Sequence, residues 1–175
     1  KIGQMSLQIL RTSVPSWSDY CTIAFSDSPG GDTVDCRMPL LPEFEIGVPW
    51  SAASQELLDA NWQNLAWELF VDGRPVDLDA FGTTDFDSQT EDGAPIRRRR
   101  WNLKLVNPTE GDHEVRYLLH INQEIDNGFT VEQPRTLELT VNLSLGEPAG
   151  SSAGMPPTYE PSWWHHTVFY EIFVR

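Results

Sequence analysis

Basic residues are scarce: 12 Lys and Arg stand against 26 Asp and Glu, a formal charge of −14 over 175 residues. Such a chain repels the phosphate backbone and anionic lipid, which excludes nucleic acid and membrane surfaces as expected partners. Long apolar runs are missing too, none nearing the roughly eighteen residues of a spanning helix, so the chain reads as soluble. It opens at Lys1 without a charged-then-apolar leader, which leaves the compartment open, with export or the cell envelope favoured over the cytoplasm. Cysteine is nearly absent. Cys21 and Cys36 flank a turn-like "DSPGGD", could face each other across a hairpin, and either bond in an oxidising compartment or stay buried thiols in a reducing one. No second ligand pair accompanies them, so they do not read as a zinc site, and neither has a catalytic setting.

What the chain does have is alternation. Leu65, Trp67, Leu69 and Val71 share one face of a strand that runs into Asp72-Gly73, a pair suited to a two-residue hairpin. Trp101, Leu103 and Leu105 alternate, then Val115, Tyr117, Leu119 and Ile121, and the three runs read as neighbouring antiparallel strands. Beyond the Asn127-Gly128 turn, Leu137, Leu139, Val141, Leu143 and Leu145 point one way and Thr136, Glu138, Thr140, Asn142 and Ser144 the other, as in a sheet with one buried face. Ser6 to Leu10, Tyr20 to Phe25, Thr33 to Arg37 and Glu43 to Ile46 complete seven or eight strands. The predicted fold is all-β, an immunoglobulin-like antiparallel β-sandwich over residues 1–146. "ASQELLDANW" is the single helix candidate. Residues 147–161, "EPAGSSAGMPPTYEP", have linker composition, and the apolar run Val168 to Val174 follows as an orphaned strand.

Several residues have chemistry to offer. Arg97 to Arg100 alternate faces if extended, so they predict ion pairs with carboxylates of adjacent strands rather than one anion patch. Asp77 to Gly93 is acidic and loop-like, yet its spacing does not match the EF-hand ligand pattern for Ca²⁺. Trp67 and Trp101 fall on predicted core faces, whereas Trp50 and Trp62, in or beside the non-periodic stretch 47–64, are candidates for carbohydrate stacking. His113 and His120 lack a nucleophile in a recognisable setting. Asn142-Leu143-Ser144 meets the glycosylation pattern, which matters only in a eukaryotic secretory route. No catalytic or metal residue is assigned.

At its end, "SWWHHTVFYEIFVR", the chain resembles the opening of the catalytic barrel of the α-amylase family, glycoside hydrolase family 13: an aromatic pair, then a strand ending in Phe173-Val174-Arg175. The resemblance spans Trp163–Arg175. It implies that residues 162–175 begin a truncated (β/α)₈ barrel, that the acidic catalytic residues lie further on, and that any Ca²⁺ belongs to the parent enzyme. The sandwich is then a non-catalytic accessory domain packing on or orienting the barrel of the same polypeptide. The alternatives are a carbohydrate-binding module that targets α-glucan, or a complete adhesin-like interaction module. Cut from its barrel, the tail is expected to promote self-association.

Overall fold

The alternating runs Leu65 to Val71, Val115 to Ile121 and Leu137 to Leu145 are all strand in the computed structural model, which describes residues 5–25, 31–90 and 93–146. The chain runs β1 (Ser6–Ile9), β2 (Asp32–Met38), β3 (Glu43–Glu45), β4 (Trp50–Ala52), α1 (Gln55–Trp62), β5 (Leu65–Val71), β6 (Arg74–Val76), β7 (Thr83–Gln89), β8 (Pro95–Trp101), β9 (Leu103–Val106), β10 (Gly111–Ile121), β11 (Ile125–Asp126), β12 (Val131–Glu132) and β13 (Arg135–Leu145). Short 3₁₀ turns cover Trp17–Asp19 and Leu78–Ala80. The fold is an all-β sandwich. A five-stranded sheet, β2-β13-β10-β5-β6, packs on a three-stranded sheet, β1-β9-β3; a second three-stranded sheet, β4-β8-β7, and the β11-β12 ribbon complete it.

The core is the set of inward residues at period two. Leu69, Val115, Tyr117, Leu139, Val141 and Leu143 from the large sheet meet Phe44, Leu103 and Leu105 from the facing sheet, all buried. Tyr117 carries a hydroxyl into this core and donates it to the Ile46 carbonyl at 3.1 Å, which satisfies the one polar atom of its side chain. β10 and β13 pair over their whole length, from Gly111 opposite Leu145 to Ile121 opposite Arg135. The β5–β6 hairpin closes through Asp72 (φ 50°) and Gly73 (φ 72°), the left-handed pair that a two-residue turn needs.

Four sequence expectations are corrected. β2 pairs with β13 in parallel, Asp35 opposite Asn142, so the sheet is not wholly antiparallel. Tyr20 to Phe25 is not a strand: Trp17–Asp19 forms a Ser16-capped 3₁₀ turn, and the chain leaves it irregularly. Cys21 therefore reaches Cys36 from a turn rather than across a hairpin, and the two form a disulfide with Cα atoms 5.6 Å apart. Finally, the run from Arg97 to Val106 is two strands. At Asn102 the N–H donates to the Gly82 carbonyl while the carbonyl accepts from Leu10, so the chain changes sheets and β9 does not neighbour β5 or β10. The linker and orphaned strand lie outside the described residues.

Candidate functional site

The densest polar chemistry gathers where α1 crosses the β7–β8 pair. Ser54 caps the helix, its hydroxyl accepting from Leu57 N at 3.2 Å, and Leu58 and Asn61 turn inward, while the adjoining face presents Gln55 and Asp59 to β7 and β8. Antiparallel register sets Asp85 opposite Arg99 and Asp87 opposite Arg97 on the adjoining strands. Arg99 donates to both oxygens of Asp85, at 2.6 and 2.7 Å, and to Asp59 at 2.7 Å. The Gln55 amide donates to Asp59 and Asp85 at 3.0 and 2.7 Å and accepts from Arg97 at 2.9 and 2.8 Å, while Arg97 also pairs with Asp87. The Arg99 hydrogen bonds hold the Asp85 carboxyl below the ordinary carboxylate range despite some burial, and the bonds to Asp85 push the Arg99 guanidinium further up. The arginine run thus forms ion pairs with neighbouring carboxylates, as its alternation predicts. The acidic stretch around Asp85 and Asp87 is strand β7 rather than a loop, and these two carboxylates face arginines.

Trp50 and Trp62 are brought to the same neighbourhood. Both are half-buried and pack against the small apolar cluster of Leu65, Leu119, Ile121 and Ile125. The Trp62 ring lies 5.7 Å from Trp67 and 5.6 Å from Trp101, and the Arg99 guanidinium sits 5.6 Å from its centroid. Phe25 touches Trp67 and Trp67 touches Tyr117, so the indoles form a continuous seam from the helix into the core. Trp62 closes the outer end of that seam, with ring contacts on several sides.

Sequence reasoning missed Glu45. It lies in the candidate strand Glu43 to Ile46, to which sequence reasoning assigns no site, and is 4% exposed, ion-paired with Arg100 of β8, its own N–H donating to the Pro15 carbonyl at 2.8 Å. Burial pushes its carboxyl up to about 7; the Arg100 charge opposes this, and Asp19 adds to it. A carboxyl titrating near neutrality suits proton transfer, but this one is nearly buried and already engaged by Arg100 on the face of β3 turned away from Phe44 and Ile46. Its geometry makes it a tie between β3 and β8. Only its position, an acid between the apolar Phe44 and Ile46, could have signalled it.

His113 and His120 occupy separate positions. His113 lies within hydrogen-bonding distance of Asp72 (2.9 Å) and of the Thr109 hydroxyl and carbonyl (3.1 and 2.9 Å); these bonds raise its pKa although burial opposes them. His120 bridges Thr136 at 2.9 Å and Glu68 at 2.8 Å, a hydroxyl–imidazole–carboxylate row across β13, β10 and β5. That row lies on a sheet face where strand pairing engages the surrounding backbone, so among the described residues no oxyanion-binding amides converge on Thr136.

Among the described residues, no group of three or more His, Cys, Asp or Glu is placed to hold a metal ion. No helix there is long and apolar enough to cross a membrane. No protein-family model matches the chain, and no curated protein does. Among solved structures, PbICP-C in complex with falcipain-2 is similar at 11% identity and a TM-score of 0.34, over 70% of this chain and 94% of that one. A mutant of the CFA/I enterotoxigenic E. coli adhesin CfaE is similar at 11% identity and a TM-score of 0.19, over 80% of this chain and 35% of that one. At such scores neither likeness transfers a role.

Proposed function

We propose that residues 1–146 are the immunoglobulin-like N-terminal accessory domain of an α-amylase-family glycoside hydrolase, non-catalytic in itself, which packs on or orients the barrel that opens at residues 162–175. The observation that carries this reading is the Trp163–Arg175 stretch, whose aromatic pair and strand resemble the start of that barrel. The sandwich supports it: the described arginine–carboxylate constellation is spent on internal ties between α1, β7 and β8 rather than held ready for a substrate. The disulfide fits maturation in an oxidising compartment, where an exported or envelope polysaccharide enzyme would work.

A second reading, glucan binding through Trp50 and Trp62, draws on the half-exposed surfaces of these two indoles beside one helix. One set of measurements separates the readings. Reading the encoding gene past Arg175 should reveal barrel strands and the acidic catalytic residues, and a stop codon there overturns the accessory-domain reading. The 1–175 chain should neither cleave maltooligosaccharides nor change its tryptophan fluorescence when titrated with them. A saturable change that Trp62→Ala abolishes would install the binding-module reading instead.

A further inference from the structure

The β11–β12 ribbon carries the two most exposed large apolar side chains of the described residues: Phe129 at 47% and Val131 at 56%. They are neighbours on a tip held rigid from several directions. The Asn127 side-chain oxygen accepts from Phe129 N at 2.8 Å and Thr130 N at 2.9 Å, and Asp126 accepts from Gly128 N at 2.7 Å. The Asn127 carbonyl accepts from Ala53 N at 2.8 Å, which fastens the tip to the start of α1. Gly128, at φ +87°, lies so close to Ala53 that a Cβ there would come within 2.4 Å of the alanine methyl. Nearby polar groups bond one another: Glu132 takes Thr130 and Arg135, and Glu124 takes Gln133. The tip thus offers a preorganised apolar contact with few hydrogen-bonding groups to spare, which suits an apolar protein surface better than sugar hydroxyls.

The size of the contact decides what kind of partner it fits. A Phe and a Val bury at most a few hundred Å², far short of the roughly 1,200 Å² of a specific complex between free proteins. A tethered partner needs much less, because a short linker holds it at an effective concentration of about millimolar. The tether is long enough. β13 runs eleven residues, about 35 Å, from beside the tip to Leu145, and residues 147–161 extend up to about 50 Å, enough to return along the sandwich.

We infer that the Phe129–Val131 tip is the surface on which the sandwich docks the domain that follows residue 161 in its own polypeptide. This rests on the accessory-domain reading. Amide exchange over residues 124–133 tests it, comparing the 1–175 chain with the gene product that includes the following domain. Exchange should be about tenfold or more slower in the longer protein, and a Phe129→Ser/Val131→Ser variant should restore the fast rate there while leaving the melting temperature of the 1–175 chain unchanged. Equal exchange in the two proteins overturns the docking; if the longer protein still cleaves α-glucan, the accessory-domain reading survives that result. Protection that grows with the concentration of the 1–175 chain would make a second copy the occupant, and protection induced there by maltooligosaccharide would make it glucan. Either result overturns the inference, and a downstream sequence without a barrel overturns both readings.

Discussion

The five-stranded sheet and the β4-β8-β7 sheet bury their inner surfaces by different means. In the first, aliphatic side chains at period two fill the space: Leu139, Val141 and Leu143 are fully buried, and adjacent strands supply more of the same. In the second, Trp62, Trp101 and the stems of Arg97 and Arg99 do the covering on the helix side, with carboxylates placed to neutralise both guanidinium groups, while Arg100 on the other face pairs with Glu45. Non-directional contacts tolerate small shifts but not lost volume, whereas ion pairs and hydrogen bonds tolerate neither a lost partner nor a changed charge. The two regions should therefore respond to different perturbations.

The largest effect belongs to the aliphatic sheet. Leu139→Ala should destabilise the fold by about 2–5 kcal/mol in urea unfolding, independent of salt, and a loss below about 1 kcal/mol would reverse the assignment of faces. Next comes Glu45. Its carboxyl holds a proton more tightly in the folded chain than in the unfolded, so stability is greatest below about pH 4.5 for this group and falls as pH rises towards about 7. The fall is about 3 kcal/mol at most. Glu45→Gln should flatten that part of the stability profile, and an undiminished slope in the variant would place its origin elsewhere. Smaller still, Arg99→Ala should cost about 1–3 kcal/mol by stripping Asp85 and Asp59 of their donor. Asp87→Asn, at the exposed rim, should cost less than about 0.5 kcal/mol, most of it gone in high salt. If the two costs matched in thermal denaturation, the network would be no more than a solvated face.

The aliphatic sheet was readable from sequence because its rule is local. Leu137 to Leu145 alternate without interruption, and Asp72-Gly73 specifies its turn with two residues. The polar sheet was half readable. The arginine run announced ion pairs, but Asp is so poor a strand former that Thr83–Gln89 passed for a loop, and nothing local pairs Arg99 with Asp59 forty residues away. Asn102 shows the limit clearly. The alternation of Trp101, Leu103 and Leu105 runs straight through it, because side-chain period is preserved while the backbone bonds pass from Gly82 to Leu10. The parallel β2–β13 pair left no trace, since no local pattern links strands a hundred residues apart.

That parallel pair also orders events in time. β2 cannot find its place until β13 has been synthesised, so the large sheet stays open at one side while nearly the whole domain emerges from the ribosome. Cys21 and Cys36 need no such wait. They lie fifteen residues apart and are made early, so oxidation can fasten the segment before β2 to the strand itself long before its sheet partner exists. Once formed, the crosslink narrows the conformations open to the segment from Cys21 to Cys36, a constraint that does not depend on Leu143 having arrived opposite Cys36.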